Sequence, residues 1–444
     1  MVHVFTSGER GSSRKCKFII LICLSFISVS VGLTAQVVAV RSKRMLDVKT
    51  GNYVNDAVVL IENGKITAVG SALVISKGAE VIDLGSATLL PGLIDAHTHL
   101  MARVADEGSH NNNYILQLAT KSEAYRALEG AVDARLTLQA GFTTVRDVEN
   151  EGSGYADVAL RTAIDRGLIE GPRMQVATRA IAATGGYLPE RLSPDLKDFP
   201  RGAQTITGAD EARRATREQI YYGADLIKIY ADFVDVGSPN TTHLFHETLT
   251  REEIRTIVEE AHKGGHRVAA HATTREGIRN AVESGVDSIE HGTEIDKETL
   301  ELMAQKGTYL VPTSAAVSHS FANPKTPLEH ELGESTMRSL REEIANARAA
   351  HVKIACGFDA STEDRQGKNA QELVKLVELG LPPLEAIQAA TIVPSELMGW
   401  QESIGSIERG KYADLIAVDG DPLQDISILT KVSFVMKGGQ RVKF

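Results

Sequence analysis

From Leu89 to about Ile404 the sequence alternates short apolar runs with helical stretches, and this alternation limits the fold more than any other feature. The runs are Leu89 to Leu93, Thr143-Thr144-Val145, Met174-Gln175-Val176-Ala177, Leu226-Ile227-Lys228-Ile229, Val268-Ala269-Ala270, Ser288-Ile289, Tyr309-Leu310-Val311 and Lys353-Ile354-Ala355. One intervening stretch opens with Thr250-Arg251-Glu252-Glu253, a capping-box pattern, and continues with Ile254, Ile257, Val258 and Ala261 on one helical face. Regular strand–helix alternation implies a parallel sheet, and eight units imply an α/β fold of the closed (β/α)8 TIM-barrel type over 89–403.

The two ends are written differently. Residues 36–88 and 404–444 read as short strands with tight turns, among them Asn63-Gly64 between two apolar runs, a strong hairpin signal. These segments are expected to meet in one small β-sandwich beside the barrel. The first 35 residues differ again: Arg10, Arg14, Lys15 and Lys17 precede an apolar run from Phe18 to Leu33, with small residues after it. That order describes a secretory signal peptide, and the run is short of the ~20 residues that span a bilayer. An uncleaved anchor is the alternative. Cleavage predicts an exported protein, periplasmic or secreted, with no stable membrane insertion. It also removes Cys16 and Cys23, so the mature chain keeps only Cys356 and forms no internal disulfide.

With 48 Lys+Arg against 58 Asp+Glu the chain is acidic, and it has no basic cluster of the kind that binds nucleic acid. Hydrophobic residues at 43% and charged residues at 24% are ordinary globular usage, which excludes disordered and fibrous classes.

Active sites of such barrels lie at the C-terminal ends of the strands. Those ends carry His97 and His99 after the first strand, Lys228 on the fourth, His271 on the fifth, His291 on the sixth and Asp359 on the eighth. Two histidines two apart on an extended chain share a face and can grip one ion. Lys228 sits in an apolar strand where a bare ammonium is costly to bury. Either it points outward or pairs with Asp225, or CO2 converts it to a carbamate that bridges two metal ions. The second reading is favoured because its strand also ends in the proposed site.

The residues 91–99 around Asp95-Ala96-His97-Thr98-His99, Thr143-Thr144-Val145-Arg146-Asp147, Lys228, His271-Ala272-Thr273, Glu290-His291-Gly292, Gly357-Phe358-Asp359-Ala360 and 410–415 together resemble the amidohydrolase superfamily. The resemblance extends to its imidazolonepropionase-like branch, with prolidases, Xaa-Arg/Lys carboxypeptidases and ochratoxinase-type amidases, and covers nearly all of 36–444. It implies that His97, His99 and Asp359 hold the more buried of two divalent ions, zinc by preference. His271 and His291 would hold the other, and carboxylated Lys228 would bridge them. Such ions acidify a shared water and polarise the scissile carbonyl, while Asp359 takes the proton and delivers it to the leaving amine.

The resemblance also implies a hydrolase releasing a C-terminal amino acid from dipeptides or N-acyl amino acids, with N-acyl-phenylalanine amides of the ochratoxin type within reach. Tyr230 shares a face with Lys228 and is implied as a donor to the substrate carbonyl or carboxylate. Tyr187 stands where many relatives carry a His and can donate a hydrogen bond. Arg179 can pair with a substrate carboxylate or with a nearby acid. The loop from Asp232 to Thr248, with His243 and His246, is long enough to act as a lid over the site.

A cyclic amidase, lactonase or deaminase of the same fold is the second hydrolytic reading. The deaminase is disfavoured, because Lys228 is present and Ala272-Thr273-Thr274 follows His271 where such enzymes usually carry a Glu. A barrel that has lost its metals and serves in binding is the reading from another class. The oligomeric state is open, a homo-oligomer included.

Overall fold

The computed structural model describes residues 37–105, 110–189, 192–196, 198–235, 244–319 and 326–443. The expected signal peptide and His243 lie outside them. Among the described residues no helix is long and apolar enough to cross a membrane.

Strands from both ends of the chain join one eight-stranded sheet. Its order is Gln440–Lys443, Phe434–Lys437, Leu415–Val418, Thr88–Pro91, Val38–Leu46, Tyr53–Glu62 and Lys65–Ser71, with Glu80–Asp83 paired to Val38–Leu46. The Asn63-Gly64 hairpin forms as expected: Glu62 pairs with Lys65, and the two turn residues have φ of 51° and 77°. Positive φ at both central residues gives the turn the twist of the strands it joins. The sheet buries Val40, Val59, Ile61, Ile66, Leu89, Leu415 and Met436 in a core of its own.

The middle of the chain is a mixed α/β fold built on parallel strands. Leu93–Thr98, Phe142–Asp147 and Arg173–Val176 form one parallel set. A second runs Gln204–Ile206, Ile181–Ala183, Leu226–Tyr230, Arg267–Ala272, Ser288–His291 and Tyr309–Val311. Backbone hydrogen bonds link the sets at both margins. Asp225 N donates to Val176 O (2.8 Å), Leu310 N to Lys353 O (2.9 Å), and Ala96 N to Cys356 O (2.8 Å).

Two expected strands differ. The run from Leu89 to Leu93 splits: Thr88–Pro91 belongs to the terminal sheet, and Leu93–Thr98 starts the parallel set. Gly92 stands at the split, where a Cβ would lie 2.2 Å from Thr143 Oγ1, so only glycine lets the two strands approach. The run Lys353-Ile354-Ala355 is not a full strand but one parallel bridge, Ile354 to Leu310. A single bridge satisfies its backbone without the length a strand needs.

Leu226–Tyr230 shows how the strands divide their labour. Ile227 and Ile229 pack into the main core with Ile254 and Ile257 of helix Arg251–Lys263, which leaves Lys228 and Tyr230 on the opposite face. Each buried isoleucine contributes about 1.5–3 kcal/mol of hydrophobic stabilisation. The helix forms where expected and carries both halves of the capping box.

Candidate active site

The strand Leu93–Thr98 does not alternate simply. Its register against Phe142–Asp147 shifts at Leu93/Ile94 and again between Asp95 and Thr98. Such irregularities re-aim side chains at a strand end. Here His97 Nε2 and His99 Nε2 come within 3.2 Å of each other, and His99 Nε2 lies 3.3 Å from Asp359 Oδ1. One ligand-type atom from each of His97, His291 and Asp359 lies within 4.8 Å of the other two. His271 stacks edge-on against His291, with ring centroids 4.5 Å apart. Gly357 makes room for this: a Cβ there would sit 2.6 Å from His97 Cβ.

Each ring is held from behind. His97 Nδ1 lies 2.7 Å from Glu290 Oε2, and Glu290 Oε1 accepts from Arg146 Nη2 (2.7 Å) and Ser288 Oγ (2.5 Å). His291 Nδ1 lies 2.7 Å from Thr313 Oγ1. His99 Nδ1 lies 3.2 Å from Glu149 O. Glu290 and the Glu149 carbonyl can only accept, so they hold a hydrogen on Nδ1 of His97 and His99 and turn the Nε2 edges of both rings toward the cluster. Behind His271 is Asp232, 3.7 Å from its Nε2, fixed by the amides and hydroxyls of Thr273 and Thr274. Asp95, pinned by His97 N, Phe358 N and Asn369 Nδ2, ties Leu93–Thr98 to the segment bearing Asp359.

The charges follow from burial and neighbours. Burial lowers His97 to about 3 and His291 to about 4, and it holds His271 well below its ordinary value. These rings are therefore neutral, with lone pairs free to bind a cation. Burial also opposes charge on His99, but its hydrogen bond to Asp359 and the carboxylates of Glu151 and Asp359 raise it to about 10. Asp359 is held well below the carboxylate range, because His97, His99 and His291 outweigh its burial. Lys228 is 1% exposed, and loss of hydration pushes its ammonium down. The outward reading of Lys228 is thereby excluded, and Asp225 pairs with Arg161 instead.

The backbone here is strained. His291, Thr313 and Asp359 have φ of 74°, 46° and 54°. Positive φ costs a non-glycine residue of order 1–3 kcal/mol, and such strain collects at functional sites.

Residues that bind a divalent cation need convergent, desolvated nitrogen and oxygen donors. The set fits: the neutral imidazoles of His97 and His291 converge with the anionic carboxylate of Asp359, and the neutral ring of His271 stands beside them.

Tyr230 and Tyr187 are also brought to the cluster, but their hydroxyls are engaged. Tyr230 donates to Glu149 Oε2 and Tyr187 to Glu151 Oε2, and their rings stack with centroids 4.1 Å apart. Neither acid was visible as a partner in the sequence, although Asp147, Glu149 and Glu151 recur two apart beyond a strand end. Arg179 has described hydrogen bonds elsewhere: its Nη2 donates to Ala203 O (3.2 Å) and its amide to Gln219 Oε1. The expected lid contains two antiparallel strands, Asp232–Asp235 and Leu244–Glu247, which pair Phe233 with His246. The Phe233 ring lies 5.1 Å from that of Tyr187; the side chain of His246 is outside the described residues.

A fold of this kind with a His/Asp cluster at its strand ends suits metal-assisted hydrolysis, and comparison with known proteins supplies the class. The model of the amidohydrolase family matches residues 88–442. Ochratoxinase of Aspergillus niger is 33% identical over 383 residues, 80% of this chain and 75% of its own. A crystal structure of a Xaa-Pro dipeptidase with methionine bound in its active site superposes with a TM-score of 0.80 at 32% identity, covering 92% of this chain and all of the other. Imidazolonepropionase of Fusobacterium nucleatum is 23% identical over 403 residues, 82% of this chain and 85% of its own. The chain belongs to the amidohydrolase family, in the imidazolonepropionase-like branch of its superfamily. It is a hydrolytic enzyme acting on amide bonds.

Proposed function

We propose that this protein is an exported, metal-dependent amidohydrolase that releases a C-terminal amino acid from dipeptides or N-acyl amino acids. The observation that carries the reading is the convergence of His97, His99, His291 and Asp359. In this reading His97, His99 and Asp359 would hold one divalent ion and His271 and His291 a second, with Lys228, as a carbamate, completing the ligand set. Bound divalent cations acidify the attacking water and polarise the scissile carbonyl. The chain's own residues do the rest. Asp359, held anionic, accepts the water's proton on its carboxylate and returns it to the leaving amine. His97, His271 and His291 stay neutral, so they do not cancel the positive charge the reaction uses. Tyr187, Tyr230 and Phe233 form an aromatic wall that excludes water on one side.

The architecture proposed with it is a closed (β/α)8 barrel over 89–403, flanked by the β unit of 36–88 and 404–444. The hydrogen bonds at both margins of the parallel sets support closure. Residues 1–35 are proposed as a cleaved export signal. The amino-acid substrate class is supported by the ochratoxinase relative and by the dipeptidase structure with methionine bound.

The test is a panel of dipeptides and N-acyl amino acids, each with a free or an amidated C-terminal carboxylate, read by the amino acid released. Hydrolysis of the free acids, with the amidated forms much weaker, supports the assignment. Equal rates on both overturn it in favour of a cyclic amidase or lactonase.

A further inference from the structure

Glu151 lies outside the ligand set and has no part in the reaction described above. It is buried, and its backbone is left-handed at φ 55°, a conformation that costs a glutamate energy and needs support. The support is Arg126, which is 1% exposed and whose Nη2 donates to Glu151 O (2.8 Å), Asn150 O (3.2 Å) and Met101 O (3.0 Å). One buried guanidinium thus ties the loop carrying Glu151 to the segment that follows His99.

The side chain uses that placement. Glu151 Oε1 lies 3.4 Å from His99 Nδ1, beside the Glu149 carbonyl oxygen at 3.2 Å from the same nitrogen. Glu151 Oε2 accepts from the Tyr187 hydroxyl at 3.0 Å. The Tyr187 ring is in turn stacked on Tyr230, whose hydroxyl is bound to Glu149. We propose that Glu151 is a positioning residue for His99, holding the Nδ1 edge of the ring with one oxygen while Tyr187 fixes the other. The Glu149 carbonyl accepts the hydrogen bond at Nδ1, and the Glu151 carboxylate beside it adds its charge, which turns the Nε2 edge of the ring toward His97 and Asp359. A carboxylate behind a ligating imidazole raises its basicity and fixes its orientation. The inference rests on the metal-centre reading above.

Zinc affinity of the full chain, stripped and titrated against a chromogenic chelator, tests it for wild type, Glu151→Gln, Tyr187→Phe and the double variant. Glu151→Gln is expected to weaken zinc binding by about 10–100-fold with an unchanged circular dichroism spectrum. Tyr187→Phe should weaken it less, and the double variant should match Glu151→Gln, because Tyr187 acts only through Glu151. Wild-type affinity in Glu151→Gln, or effects of the two single variants that simply add, overturn the proposal. Should Glu151→Gln not fold, wild-type affinity in Tyr187→Phe overturns it alone. A wild type that binds no zinc is a separate result: it removes the metal-centre reading itself.

Discussion

Glu290 stands 193 residues from His97 in sequence, yet its Oε2 lies 2.7 Å from His97 Nδ1 while Arg146 Nη2 holds its other oxygen at the same distance. All three side chains are buried. Burial alone would favour the protonated acid, but the charge of Arg146 and the hydrogen bond with His97 keep Glu290 below the usual carboxylate range. Glu290→Gln keeps the shape and removes the charge behind His97. It should lower zinc affinity by about 10–100-fold, measured by chelator competition. Arg146→Met leaves a buried carboxylate without its cation and should cost about 3–5 kcal/mol in urea unfolding.

Lys228 is buried among Glu290, Glu149 and Asp359, and loss of hydration favours its neutral amine, the form that reacts with CO2. Lys228→Ala should lower amide hydrolysis by about 100-fold or more. A small carboxylic acid added to the assay should restore part of it by filling the vacated space. Near-normal turnover with unchanged metal content would remove Lys228 from the centre.

Glu372 gives a pH dependence of known sign. Burial raises its carboxyl from 4.5 to about 8, although its oxygens accept from Ser314 N and Ala315 N. A group with a raised folded pKa contributes stability that is full below its unfolded value and is lost as pH rises through the folded one. Wild type stripped of metal should therefore lose stability relative to Glu372→Gln between about pH 4.5 and 8, by up to about 1.4 kcal/mol per pH unit. Urea unfolding of both at pH 5, 6, 7 and 8 checks it; parallel stability curves would refute the assignment.

Glu253 serves two helices at once. Its carboxylate accepts from Thr250 N (2.8 Å), closing the capping box, and from Gly208 N (2.6 Å) just before helix Ala209–Tyr221. Thr250→Ala removes one cap and should cost about 1 kcal/mol. Glu253→Ala should cost about 2 kcal/mol in the same thermal or urea assay, because it frees amides at both helix starts.

The strand-end cluster of histidines and Asp359 was legible in the sequence because parallel strands place such residues predictably at one edge. The capping box at Thr250 and the Asn63-Gly64 hairpin were legible because local backbone geometry dictates them. The residues behind the ligands were not. Glu290 and Arg146 lie within recognisable motifs, but their pairing depends on which strands become neighbours. Glu149 and Glu151 carry only a spacing of two beyond Asp147, and nothing local shows that two tyrosines will donate to them. The partners of Arg179 were hidden for the same reason: Ala203 O and Gln219 Oε1 arrive from elsewhere in the chain. The split at Gly92 depended on Thr143, a contact across strands.

Metal content tests the central claim most directly. Wild-type protein, stripped and reloaded with zinc in the presence of bicarbonate, should retain about two zinc ions per chain by elemental analysis after exhaustive desalting. Amide hydrolysis should fall with their removal and return with them. Retention of one ion or none, with hydrolysis unaffected by stripping, would contradict the account.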